Sequence, residues 1–92
     1  MNFNLDISGF LVVLEDENQN ESNSAIISYE QNYENLIHSI SEKFEIKIQY
    51  VYYYDSEGEK CFLCDSNYDL MIEEKQKFGL KPYSILHAIY SI

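Results

Sequence analysis

Tyr33-Glu34-Asn35-Leu36-Ile37-His38-Ser39-Ile40-Ser41-Glu42-Lys43-Phe44 is the stretch that decides the fold. Tyr33, Leu36, Ile37, Ile40 and Phe44 recur at helical spacing, and Asn32 stands where a capping side chain is needed. The opposite face carries Glu34, His38 and Glu42, so His38 reads as a solvated histidine with an acid one turn to either side. A helix with a single apolar stripe has to lay it on another element. The flanking segments supply a sheet.

On the N-terminal side, Phe10-Leu11-Val12-Val13-Leu14 reads as a buried strand, and Ser24-Ala25-Ile26-Ile27-Ser28-Tyr29 as its returning partner. The polar, Asn-rich run from Glu15 to Asn23 between them is expected to be an exposed hairpin loop. Phe3, Leu5 and Ile7 alternate with Asn4, Asp6 and Ser8, which fits either a separate strand turned at Ser8-Gly9 or one strand bulged at Gly9. On the C-terminal side, strand character returns from Ile46 to Asp55, with Val51 and Tyr53 on one face and Tyr50, Tyr52 and Tyr54 on the other. Ser56-Glu57-Gly58 turns the chain into a strand over Lys60–Cys64, where Cys61 and Leu63 oppose Phe62. Ser66-Asn67-Tyr68-Asp69 has the form of a capping box, and Tyr68, Met71 and Ile72 give the second helix its buried stripe. Lys75 and Lys77 suit that helix's end, Gly79 its C′ position, and Lys81-Pro82 a break before a last strand from Ser84 to Tyr90. His87 falls on one face or the other of that strand. The order β-β-α-β-β-α-β predicts an α+β fold: a ubiquitin-like β-grasp roll, a mixed sheet of about five strands with two helices on one face. Residues 1–92 make one domain, expected to belong to a longer protein.

Charge narrows the function. Sixteen acids face six basic residues, all lysine, for a net charge of −10, and Lys43 is the first of them. Such a surface repels a phosphate backbone and an anionic membrane leaflet alike, so neither nucleic acid nor membrane is an expected partner. The start of the chain is no signal peptide and no apolar run is long enough to span a bilayer, which points to a cytoplasmic setting. Cys61 and Cys64 form a lone C-x-x-C inside a strand-like run, and His38 and His87 are too distant in sequence to complete a zinc site. The acids do not spell a calcium loop either: counted from Asp55, Gly58 falls at position four and Ser66 at twelve. No nucleophile–base set or phosphate-cradling glycine loop accompanies them. No metal, no cofactor and no enzymatic activity is expected.

What remains is an acidic cassette. Tyr53-Tyr54-Asp55-Ser56-Glu57-Gly58-Glu59 is followed by Asp65 and Asp69, so carboxylates gather on a turn and again at the start of a helix. Like charges this close repel, and a Lys- or Arg-bearing partner relieves that repulsion. Asp55, Glu57, Glu59, Asp65 and Asp69 are therefore the candidate partner-binding residues.

These residues resemble the PB-one (Phox/Bem) domain family, in its acidic class. Asp55-Ser56-Glu57-Gly58-Glu59 is similar to that class's Asp-x-acid-Gly-acid motif, and Ser66-Asn67-Tyr68-Asp69-Leu70 to its Ser-x-x-acid-Leu helix start. Tyr53 matches the aromatic before the first Asp, and Tyr33–Ile37 with Glu42–Ile46 resembles the family's first helix. The stretch between Glu59 and Ser66 is one residue longer than the family pattern, leaving Asp65 as a bulge or an added acid at the rim. The family's basic face needs a lysine in the first strand, and this chain has no basic residue before Lys43. The resemblance implies a one-faced module that offers its acids to the basic cluster of another such domain. It implies a monomer or heterodimer, because a head-to-tail filament needs both faces on each subunit. The alternative is a ubiquitin-like domain that binds, or self-associates, through its tyrosine-rich patch.

Overall fold

The computed structural model describes residues 9–77 and 83–91. Its elements are β1 (Gly9–Glu15), β2 (Glu21–Ser28), α1 (Tyr33–Phe44), β3 (Ile48–Tyr54), β4 (Lys60–Phe62), α2 (Tyr68–Lys77) and β5 (Tyr83–Tyr90). The strands form one mixed sheet in the order β2-β1-β5-β3-β4. β1 and β5 run parallel at its centre, and the two hairpins β1–β2 and β3–β4 flank them as antiparallel pairs. This is the expected α+β architecture, compatible with a β-grasp-like fold. The Phe3–Ile7 alternation, Gly79 and Lys81-Pro82 lie outside the described residues.

Strand parity decides what each face carries. Phe10, Val12 and Leu14 of β1, Val51 and Tyr53 of β3, and Leu86 and Ala88 of β5 share one cluster with Leu36 and Ile40 of α1 and Tyr68, Met71 and Ile72 of α2. Both helices therefore cover the same face of the sheet. The other face holds Leu11, Val13 and Glu15 of β1 and Ile85, His87 and Ile89 of β5, with Tyr50, Tyr52 and Tyr54 of β3 beside them. Tyr53 thus serves the core while its three neighbours of opposite parity belong to the uncovered face.

Local chemistry fixes the element ends. Asn32 is extended and its side chain accepts from Asn35 N at 2.8 Å, capping α1 as its sequence predicts. Glu45 ends the helix in the left-handed region, and Ile46 N closes back on Ser41 O at 3.1 Å. α2 begins differently from the capping-box expectation. The Ser66 hydroxyl lies 3.1 Å from Cys64 Sγ, while Asn67 accepts from Cys64 N at 2.8 Å and its backbone carbonyl takes Met71 N at 2.9 Å. A side chain next to the helix start is spent on bracing the β4–α2 turn. Gly9 sits where β1 and β2 close on each other: a Cβ there meets Ile27 O at 2.6 Å. Among the described residues no helix is long and apolar enough to cross a membrane.

Candidate functional site

The acidic turn between β3 and β4 is built by its first residue. Asp55 N donates to Glu59 O at 2.9 Å and Gly58 N to Asp55 O at 3.0 Å. One carboxylate oxygen, Asp55 Oδ1, accepts from Glu57 N and Glu59 N at 2.9 and 2.8 Å. Gly58 takes φ +82°, which is the reason a glycine stands there. The backbone donors hold the Asp55 carboxyl below its ordinary range.

The turn between β1 and β2 repeats this pattern. Asp16 N and Gln19 N make the same two backbone bonds, at 3.1 and 2.9 Å, and Asp16 Oδ1 accepts from Asn18 N and Asn20 N at 2.9 Å each. Gln19 stands in the left-handed position at φ +64°, and Asp16 too is held below the usual carboxylate range by backbone donors. An aspartate at the first position closes a five-residue hairpin turn in both places. Asp55 is accordingly a turn-forming residue whose oxygens point back at the chain. Nothing of the kind ties Glu57 or Glu59, whose carboxylates are exposed and have no cationic partner among the described residues.

The turn does not stand alone. Ser56 N donates to Glu74 Oε2 at 3.3 Å, which brings α2 against it and adds an acid the sequence cassette had not included. Tyr53 lies beneath, its phenol pushed up to about 12 by burial first, then by Cys61, Glu74 and Asp55. Burial and the charge of Asp55 raise the Cys61 thiol, and Glu59 adds to the effect. Asp65 and Asp69 are both exposed. Asp65 lies near enough to the half-buried Tyr33 to help raise its phenol, after burial and Cys64. Asp69 occupies the first turn of α2, where the helix dipole favours it, and lines a shallow exposed depression with Leu70, Ile72 and Glu73. Leu70 is 64% exposed there. Of the five candidate acids, Asp55, Glu57 and Glu59 share the turn with Glu74 beside it, Asp65 precedes α2 and Asp69 lies in that helix's first turn.

The two thiols part company. Cys61 packs against the core and sits 3.8 Å from Asp55 Oδ2, while Cys64 is exposed and its thiol is lowered by the Ser66 hydroxyl. Both are free. Among the described residues no three His, Cys, Asp or Glu side chains come together as a metal-binding group. His38 pairs on the surface with Glu42 at 3.3 Å.

A second constellation lies on the helix-free face. Glu15, which polarity alone assigned to the loop, is the last residue of β1 and only 5% exposed. Its Oε1 accepts from Tyr52 Oη at 2.7 Å and its Oε2 lies 2.6 Å from His87 Nδ1. His87 stacks on Tyr52 at 4.6 Å between centroids, nearly parallel, and Tyr54 meets both rings edge-on. Lys60 Nζ lies 4.2 Å from the centre of the Tyr52 ring, and Phe62 packs against Tyr50. Tyr52 is held well above the ordinary phenol range by burial and by its bond to Glu15. A sequence signal existed: the alternation of β1 extended by one residue puts Glu15 in line with Leu11 and Val13. Its buried partners arrive from residues 37 and 72 positions away.

No family model matches this chain, and no curated protein is similar enough to it to count as a match.

Proposed function

We propose that the domain is a non-catalytic protein–protein interaction module that offers an acidic surface to a Lys/Arg cluster on a partner domain, in a cytosolic assembly. The PB-one resemblance of the Asp55–Glu59 and Ser66–Leu70 segments supports this, and its partner is then another domain of that type. The observation that carries it is the rigidity of the turn. Asp55 uses its carboxylate to lock the backbone, and Ser56 N is bound to Glu74, so Glu57 and Glu59 project from a fixed platform with no cation of their own among the described residues. Fixed charges favour specific pairing over diffuse attraction. Each exposed pair is worth only ~0–1 kcal/mol, so Asp65, Asp69 and the turn acids act together.

The test is a charge reversal that spares the turn. Glu57→Lys with Glu59→Lys keeps Asp55 and Gly58 and leaves the circular dichroism unchanged. Titration calorimetry against a PB-one domain carrying the family's basic cluster should show binding by the wild type, weakened by salt, and none by the double variant. Equal affinity in both refutes the acidic surface.

A second reading has its own observation. Ile26, Tyr54, Phe62 and Ile85 are all between 46% and 58% exposed on the helix-free face. Exposed apolar side chains on one face suit an apolar partner surface. Binding by that face survives the Glu57/Glu59 reversal and is lost in Phe62→Ser.

A further inference from the structure

Three serines of this chain are followed three residues later by an acid, Ser39 by Glu42, Ser56 by Glu59 and Ser66 by Asp69, and the chain contains no threonine. Tertiary structure separates them. Ser39 lies in α1, where its half-buried hydroxyl donates to Glu30 Oε2 at 2.7 Å. Ser66 stands just ahead of α2 with its hydroxyl 3.1 Å from Cys64 Sγ. Ser56 is exposed at the second position of the Asp55–Glu59 turn, and its hydroxyl makes no hydrogen bond among the described residues. Of the three, only Ser56 also has an acid directly after it, Glu57.

A kinase that chooses its substrate by charge surrounds the acceptor with basic side chains, so it needs an accessible hydroxyl with carboxylates fixed beside it. Glu57 and Glu59 are exposed on the same turn as Ser56 and have no cationic partner among the described residues. The strand leading away from that turn, β4, is three residues long and lies at the sheet's edge. Few contacts therefore resist the opening of this hairpin end in a kinase cleft.

We propose that Ser56 is a phosphorylation site for an acid-directed serine kinase. Its Oγ attacks the γ-phosphorus of a nucleoside triphosphate. The Oγ–P bond forms, the bond from that phosphorus to the β–γ bridging oxygen breaks, and the nucleoside diphosphate leaves. The hydroxyl proton passes to the kinase's catalytic carboxylate. At pH 7 the new group brings a charge of about −1.5 to −2 to the turn. Glu74 is the group it disturbs first, because Glu74 Oε2 accepts from Ser56 N at 3.3 Å and a phosphate on the same residue repels it. Phosphorylation thus loosens the tie between the turn and α2 while it deepens the negative surface. A tighter grip on a Lys/Arg cluster follows only on the acidic-surface reading; the acceptor site does not depend on it.

The test treats the intact chain with a serine kinase of the casein kinase class, magnesium and ATP, and maps the phosphate by peptide mass spectrometry. A phosphate on Ser56 is expected. Ser56→Ala should take up none, with unchanged circular dichroism, and Glu57→Gln with Glu59→Gln should slow the transfer roughly tenfold. A chain that takes up no phosphate overturns the proposal, as does phosphate placed first on Ser39 or Ser66, or a rate indifferent to the two glutamates. Titration calorimetry of the phosphorylated chain against the basic PB-one domain should show several-fold tighter binding at low salt. If neither form binds, the acidic surface has failed and the mapped site stands. If both bind equally, the regulatory role of the phosphate is overturned.

Discussion

Aspartate does two jobs that look alike in a string of letters. At Asp16 and Asp55 the carboxylate closes a hairpin turn by accepting two backbone N–H groups, a bond the neighbouring glutamates do not make. Because backbone donors depress the Asp55 carboxyl, its contribution to stability is present above the ordinary aspartate range and is lost as pH falls through the lowered value. Asp55→Asn should therefore lower the thermal midpoint at neutral pH, and the gap to wild type should close on acidification. A gap that stays constant in acid counts against the turn role. The thiols give a second prediction at this scale. Cys64 is exposed and shifted toward thiolate by Ser66, while Cys61 is raised by burial and by Asp55. Alkylation with iodoacetamide, followed by peptide mass mapping, should label Cys64 first and from a lower pH. Labelling of Cys61 ahead of it reverses the ranking.

At the scale of elements, the central strands are tied twice, by backbone pairing and by the Glu15–Tyr52–His87 bonds that link β1, β3 and β5 across the helix-free face. Glu15→Ala leaves a buried hydroxyl and an imidazole without their acceptor. It should cost about 1–3 kcal/mol in urea unfolding, and Tyr52→Phe roughly 1 kcal/mol. The double variant should lose less than the sum, since both substitutions remove one shared bond. Full additivity shows that the bond is not formed. Gly9 lies tight against the backbone of β2. With Ile27 O only 2.6 Å from where a Cβ stands, Gly9→Ala forces two paired backbones apart and should cost about 1–3 kcal/mol, as overpacking does. An unchanged urea midpoint shows that the hairpin yields freely at that point.

The whole molecule is a small core under a heavily negative surface. Its self-repulsion opposes the compact state and is screened by salt. Moderate sodium chloride should raise the thermal midpoint of the monomer, and Glu57→Lys with Glu59→Lys, which takes the net charge from −10 to −6 by two changes of +2, should reduce that dependence. A midpoint that ignores salt means the acids lie too far apart to repel one another appreciably. Near the isoelectric point of about 4.3 the same chain should be least soluble, as light scattering on acid titration reads directly.

Much of the fold was legible one segment at a time, because the information is local. The stripe of Leu36 and Ile40, the alternation about Val51 and Tyr53, and the Asn32 cap depend on neighbours within a turn or two of chain. Composition likewise set the sign of the surface charge. What no local pattern could decide was which side of each strand would meet the helices, and so where His87 and three of the tyrosines would face. Nor could it show that the Asp55 carboxylate would bond the turn's own backbone, that Glu74 would reach the turn from α2, or that Glu15 would be buried against Tyr52 of β3 and His87 of β5. Those outcomes hang on contacts between residues up to 72 positions apart, which exist only after the parallel pairing of β1 with β5 has closed the sheet.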